Sequence, residues 1–248
     1  MSLPAPIGAG TLLAAWERGL AEGPVGRPLA LLETALGEPP GRLASLPLGE
    51  RDRRLAALRR RVLGGSADAE TRCPACGERI EFALDLDVLE TAAGPPPPGA
   101  RFAATVGAWR VAFRLPNTAD LLAAGTLRDE TGAGRAVVER CVLEARDEGD
   151  REVAASDLPP PVLEAVAERM AEADPRLDEV LELDCPACGH RWDEAFDLGT
   201  YFWSELSAWA ARLLDDVHVI ASGYGWSEEA ILALAPTRRR YYLERLLG

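Results

Sequence analysis

One short segment constrains this chain more than any other: Cys73-Pro74-Ala75-Cys76-Gly77 recurs as Cys185-Pro186-Ala187-Cys188-Gly189. Aligned from the first cysteine of each through Leu86 and Leu198, nine of fourteen positions are identical, namely both cysteines, Pro, Ala, Gly, Arg, Ala, Asp and Leu. Cysteines two residues apart present two sulfurs from one tight turn, and two such turns supply the four thiolate ligands of a tetrahedral zinc site. Glycine after the second cysteine permits a positive φ, which lets backbone N–H groups face the sulfurs. Beyond the first turn, Ile80, Phe82, Leu84 and Leu86 alternate with Glu81, Asp85 and Asp87, as a half-buried strand requires. Each knuckle is therefore predicted to be a hairpin finger, and the two together a zinc ribbon holding one structural Zn2+ on Cys73, Cys76, Cys185 and Cys188.

The halves lie 108 residues apart, Gly77 to Asp184, where a compact ribbon has about fifteen to twenty. The intervening chain must then be an insertion whose ends return to one place. Closing so long a loop is penalised only logarithmically in its length. A single Cys-x-x-Cys could be a thioredoxin-like redox pair, but two copies followed by glycine and strand residues argue against that. Catalytic zinc needs an open position; His190 adjoins the second turn, yet four thiolates already complete the tetrahedron. Disulfides are disfavoured in the reducing cytoplasm, the compartment expected here because Met1 to Pro6 lacks the basic flank and apolar run of a signal peptide. The fifth cysteine, Cys141, lies among Val137, Val138 and Val142 and reads as a buried apolar residue.

Around this motif the pattern is helix, mixed, helix. Leu12, Leu13, Trp16 and Leu20 recur at helical spacing; Pro28 opens a second helix that Gly37 stops. Glu50 to Leu63 forms a third, with Leu55, Leu58 and Val62 on one face and Arg51, Arg53, Arg54, Arg59, Arg60 and Arg61 on the other. That arginine face is either a solvated surface or a dock for an acidic partner, including the acidic half of this chain. Gly94 and Pro95 to Pro98 make a stiff spacer. Arg101 to Val106 and Trp109 to Leu115 are predicted as a hairpin turned at Gly107. Asn117 caps a short helix through Leu122, a further helix runs from Gly134 to Ala145, another ends at Ala173, and Leu177 to Leu183 alternates as a strand. From Tyr201 a long helix runs to Gly223, Ser227 caps a short one, and a terminal helix follows Pro236.

Charge excludes some functions. The formal net charge is −13, the 27 basic residues are all arginine, residues 1–65 sum to +3 and residues 144–197 to −12. Such a field repels phosphate backbones, so nucleic acid is not an expected partner. No apolar run reaches the length of a membrane span, so no membrane is expected either. No nucleophile elbow, phosphate-binding loop or paired catalytic carboxylates are visible, and Asp215, Asp216 and His218 crowd one helical turn pointing in different directions. No enzyme is expected.

The end of the chain is rich in large aromatics. The long helix, Gly223-Tyr224-Gly225-Trp226 and two shorter helices could be a helix-turn-helix, but the acidic body disfavours DNA. A helical unit that contacts a partner protein through Trp226, Arg238, Arg239, Arg240, Tyr241 and Tyr242 fits better, since these residue types are enriched at energetic centres of interfaces.

The layout as a whole has Trp16 and the arginine-rich helix first and two distant Cys-Pro-x-Cys-Gly knuckles next. It ends on Tyr224-Gly225-Trp226-Ser227-Glu228-Glu229-Ala230-Ile231-Leu232-Ala233-Leu234 and Arg240-Tyr241-Tyr242-Leu243-Glu244. It resembles the baseplate hub and hub-assembly proteins of contractile phage tails of the T-even type, and their relatives in contractile injection systems. The resemblance implies a non-enzymatic structural or assembly role through contacts with baseplate, hub or spike proteins, in the cytoplasm or within a tail-like particle. The other class left open is a zinc-ribbon nucleic-acid-binding or transcription-associated protein. The expected fold class is α+β: helical N- and C-terminal units around a split four-cysteine zinc ribbon with an inserted small α+β lobe. The expected divisions are 1–65, the knuckles 66–98 and 176–199, the lobe 99–175, and 200–248.

Overall fold

The computed structural model describes residues 7–39, 41–85, 96–97, 99–125, 130–175 and 180–248. The proline spacer, apart from Pro96 and Pro97, lies outside the described residues, as do Leu86 and the start of the strand predicted from Leu177. The protein is α+β, with nine α-helices, one short 3₁₀ helix (Ala155–Asp157) and seven strands among the described residues. By their contacts the residues form two compact units, 1–40 with 198–248, and 41–197.

The first unit is all helix: α1 (Ala9–Leu20), α2 (Arg27–Leu36), α7 (Leu198–Tyr224), α8 (Glu228–Leu232) and α9 (Pro236–Leu247). The apolar repeat along α7 buries Phe202, Leu206, Leu213, Val217 and Ile220, as a 3.6-residue period requires. Ile231 of α8 joins Leu213, Val217 and Ile220, with Trp226, Tyr242 and Leu243 packed against them. Gly19 lets α1 approach α7 closely: a Cβ there would sit 2.3 Å from the Trp203 ring. The Trp16 indole N–H donates to Ser207 Oγ at 3.2 Å, and the Arg27 guanidinium lies 4.6 Å from the centre of the Trp203 ring, a cation–π geometry. The long helix runs one residue past Gly223; the left-handed residue that ends it is Gly225, at φ 69°.

The second unit holds α3 (Leu48–Leu63), α4 (Thr118–Ala124), α5 (Glu130–Cys141), α6 (Pro160–Ala173) and all seven strands. β1 (Ser66–Arg72) pairs with β2 (Arg79–Asp85), and β6 (Val180–Asp184) with β7 (Arg191–Ala195), each as an isolated antiparallel hairpin. β3 (Phe102–Val106), β4 (Trp109–Phe113) and β5 (Val142–Arg146) form a three-stranded antiparallel sheet with β4 in the middle. Its inner face, Ala104, Val111, Phe113 and Ala145, packs on Val162, Val166 and Met170 of α6. The Gly107 hairpin forms as the sequence predicts, with Gly107 at φ 59°.

Two expectations about elements change. The helix predicted to reach Ala145 ends at Cys141, because Val142 to Arg146 are drawn into register with β4 and the Arg114 N–H takes the Cys141 carbonyl. A strand of this kind exists only through its neighbour, so helical spacing alone extends too far. The arginine face of α3 is only partly solvated: Arg60 and Arg61 are exposed, whereas the other four are engaged within their own unit. Arg51 and Arg59 are buried; Arg51 bonds Asp52 and Thr118, Arg59 donates to the carbonyls of Gly64 and Ser66, and Arg53 and Arg54 both clamp Glu50.

The sequence pattern groups α3 with α1 and α2, whereas its contacts place it with the insert. Leu48 N–H donates to the Pro116 carbonyl and Ala119 N–H to Ala44, and Pro47 bridges Asn117. The N-terminus of α3, which starts at a proline without a side-chain cap, is closed by Asp174, 2% exposed, which accepts from the Gly49 N–H at 3.0 Å. Only glycine fits at 49, since a Cβ would lie 2.2 Å from that carboxylate. A carboxylate at a helix N-terminus satisfies an orphan N–H and complements the dipole.

Candidate metal centre

Each knuckle builds the same turn. Cys73 N–H donates to the Glu78 carbonyl and Gly77 N–H to Cys73; Cys185 N–H donates to His190 and Gly189 N–H to Cys185, all between 2.8 and 2.9 Å. Gly77 and Gly189 take φ of 76° and 73°, the left-handed conformation that the sequence pattern requires of them. The hairpins thus hold both turns rigidly, and the duplication visible in the sequence is also a duplication of geometry.

The two turns, more than a hundred residues apart, meet. The Sγ atoms of Cys73, Cys76, Cys185 and Cys188 all lie within 4.8 Å of one another. Cys73 is 3.7 Å from Cys188 and Cys76 is 3.7 Å from Cys185. Four sulfurs about 2.3 Å from a central ion define a tetrahedron with edges of about 3.8 Å, so the donor set and its spacing fit one thiophilic cation. Cys73 and Cys185 are buried, Cys76 and Cys188 exposed. Ile80 closes the inner side with help from Phe82 and Trp192, and the His190 ring stacks on Trp192 at 5.9 Å.

The ionisations of the clustered sulfurs depend on one another. Burial raises the Cys73 thiol, but the N–H groups of Cys76 and Ala75, with the Cys76 and Cys188 sulfurs, outweigh it and bring the group down to about 7. At Cys76 the Glu78 N–H acts to lower the value, yet the Cys188 sulfur, burial and the other two sulfurs push it up to about 12. Cys188 also rises, against the His190 N–H. One thiolate forms readily, and its neighbours then resist ionising beside it. A dication bound by Cys73, Cys76, Cys185 and Cys188 would remove that resistance by displacing the protons.

The other singled-out residues fall into two groups. Trp226 and Tyr242 meet edge to face at 4.8 Å and pack on the core of their own unit. Arg239 is buried and donates to the Leu234 carbonyl. Arg238, Arg240 and Tyr241 are exposed, and Arg245 lies over the Tyr241 ring at 5.3 Å. Asp215 and His218 are exposed on α7, while burial raises the half-buried Asp216 carboxyl against the pull of Arg239. Cys141 is fully buried, as its apolar setting predicts, and burial pushes its thiol up to about 12.

Sequence reasoning missed a buried ionic cluster. Asp120, 1% exposed, accepts from Arg114 at 2.6 and 2.9 Å, from Arg140 at 3.2 Å and from the Asn117 N–H at 3.1 Å. Burial would raise this carboxyl, but Arg114 and the Asn117 N–H outweigh it and hold it below the usual range. The one trace in the sequence was Asn117 with an acid three residues on, a capping box that the structure contains.

The fold and centre define a class: an α+β protein with a split four-cysteine ribbon whose halves are brought together by a large insert, and no helix among the described residues long and apolar enough to cross a membrane. Comparison with known families then gives a more particular answer. The family described as T4 bacteriophage base plate protein matches residues 34–203, more than half of the chain, and the chain belongs to that family. The match covers both knuckles and the insert. No curated protein and no solved structure matches.

Proposed function

We propose that this protein is a zinc-stapled, non-enzymatic structural or assembly component of a contractile-tail baseplate, of the hub or hub-assembly type, and that it works through contacts with other proteins of the particle. The observation that carries the reading is the family match across the knuckles and the insert. The sulfur tetrahedron supports a single structural Zn2+, since four thiolates at this spacing leave no open position for chemistry. In this reading the metal fixes the returning ends of the insert, and the partner surface is the outer side of α9. Arg238, Arg240 and Tyr241 are exposed there on a helix whose inner side, Arg239 and Tyr242, holds the unit together. In the same reading 99–175 forms a lobe inserted between the two knuckles.

The test is an assembly assay in the cognate particle with Arg238→Glu, Arg240→Glu and Tyr241→Ala combined. Loss of particles at wild-type zinc content and melting temperature supports the reading. Normal particles from the triple variant place the contact elsewhere, and normal particles without the protein sink the assembly role. Truncating the chain before Gly223 is a poorer test, because it strips Ile231 and Tyr242 from the core around Ile220.

A further inference from the structure

A strand at the edge of a sheet presents unpaired N–H and C=O groups, and proteins blunt such edges with charge, proline or a covering segment. Six of the seven described strands are edges, and five are blunted. β1, β2, β6 and β7 each carry at least two charged residues, among them Glu70, Arg79, Glu182 and Asp193. β5 carries Glu144 and Arg146, and the chain folds back along it: Val153 N–H donates to the Ala145 carbonyl, Asp147 N–H to Arg151, and Arg146 bridges Glu152. β3, with the sequence Phe-Ala-Ala-Thr-Val, carries no charge or proline, and among the described residues no segment bonds along its outer edge.

The register identifies the open groups. A two-residue turn at Gly107-Ala108 makes Val106 and Trp109 a hydrogen-bonded pair. The alternation then turns the N–H and C=O of Ala103 and Thr105 away from β4. Neither residue finds another backbone partner among the described residues, and both are exposed.

We propose that β3 is a pairing edge, and that its occupant is β3 of a second copy of this chain, antiparallel and centred on Ala104. In that register Ala103 of one copy faces Thr105 of the other, and each exchanges its N–H and C=O, so every open group is satisfied by an identical strand. Phe102 of one copy lies beside Val106 of the other. Both belong to the apolar inner side of the sheet, and Phe102 stacks on Phe113 at 5.7 Å next to a shallow cavity also lined by Ala103, by Ala173 and by Arg169 and Glu172, which pair with each other. No charge on β3 opposes the approach. Two three-stranded sheets become one of six strands through an isologous two-fold contact.

The size of the contact sets its strength. Five paired residues bury less than the roughly 1,200 Å² of a standard interface, so the dimer is weak, with Kd on the order of 0.1–1 mM. Two bodies of net charge −13 repel each other, so salt should tighten it. The experiment is sedimentation of the full-length, zinc-loaded protein from about 10 μM to 1 mM, at low salt and at about 0.3 M salt. The weight-average mass should climb from 26.6 kDa toward twice that value, further at high salt. Thr105→Pro, which deletes an outward N–H that the β3–β4 ladder does not use, should stay monomeric at an unchanged melting temperature. Thr105→Asp, which keeps the N–H and adds repelling charge, should weaken association at least tenfold, and it decides the matter if the proline variant fails to fold. A wild-type protein monomeric at 1 mM in high salt, or a dimer that both variants leave intact, overturns the proposal.

Discussion

The two units close the chain on itself by different physics. The first joins residues 1–40 to 198–248 through apolar helix packing: Gly19 against Trp203, Ile231 against Ile220, and aromatic rings edge to face. The second has an apolar core between its three-stranded sheet and α6, but it also closes residues 41–197 with polar groups: four clustered thiols, the Asp174 cap on α3, and the Asp120 carboxylate between Arg114 and Arg140. Apolar contacts are short-range and tolerant of small adjustments, each worth part of a transfer free energy. Ligating and buried ionic contacts are few, and each is costly to leave half made. The first unit should therefore degrade gradually under substitution and the second in steps.

The largest test of that contrast is the metal. Cys185→Ser, or a strong chelator, should remove zinc and cost the second unit about 5 kcal/mol or more, lowering its melting temperature by roughly 10–20 °C. Amide exchange in α7 to α9 should change far less than in β1, β2, β6 and β7. Elemental analysis that finds wild-type zinc in Cys185→Ser, or none in the wild type, would break the comparison at its centre.

Next is Asp120→Asn. It leaves two guanidinium groups facing a neutral amide, and the loss should be about 2–3 kcal/mol, discounted because Arg140 is half exposed. Denaturant titration measures this directly. A change under about 0.5 kcal/mol would show that the cluster is solvent-relaxed and not a clasp.

The paired glycines sharpen the point. Gly49→Ala drives a Cβ against the buried Asp174 carboxylate, and Gly19→Ala drives one against the Trp203 ring. Each should cost about 1–3 kcal/mol, with the larger loss at Gly49, because the indole can tilt whereas Asp174 would lose its hydrogen bond to the Gly49 N–H. Adding Trp203→Leu to Gly19→Ala should recover stability. Adding Asp174→Ala to Gly49→Ala should not, since α3 loses its cap as well as the clash.

The smallest effect is a difference in sign with pH. Asp120 is held below its ordinary value, so its contribution is present above the unfolded value of about 3.9 and is lost as pH falls through the lower folded value. Asp216 is raised by burial, so its penalty appears as pH rises through about 3.9 and is complete above the higher folded value. Acidification from pH 6 to pH 3 should relieve the first unit and weaken the second. Exchange measured separately in the two units would expose equal slopes, which would contradict this assignment.

Much of the centre was legible in the sequence because its chemistry is local. A Cys-x-x-Cys-Gly turn makes its own hydrogen bonds and needs only glycine's positive φ, so two copies announce two half-sites. The Gly107 hairpin and the caps at Asn117 and Ser227 were legible for the same reason, each being settled within four residues. The arginines of α3 were not. Whether Arg51 faces water or Thr118 depends on a residue 67 positions away, and no periodicity encodes that. The aromatics after residue 192 were visible as a cluster, but only packing divides Trp226 and Tyr242, which serve the unit's own core, from Tyr241, which stays outside.

The sequence by itself determined the two matching cysteine turns, the hairpins that carry them, the helical ends of the chain and its acidic balance, because short-range geometry and composition suffice for each. Tertiary structure alone decided that α3 sits with the insert, that Asp174 caps it, that Val142 to Arg146 become a strand and that Asp120 is buried between arginines. Those outcomes depend on which distant groups are desolvated together. A buried donor, acceptor or charge must find its partner wherever the chain has placed one, and linear spacing does not record where that is.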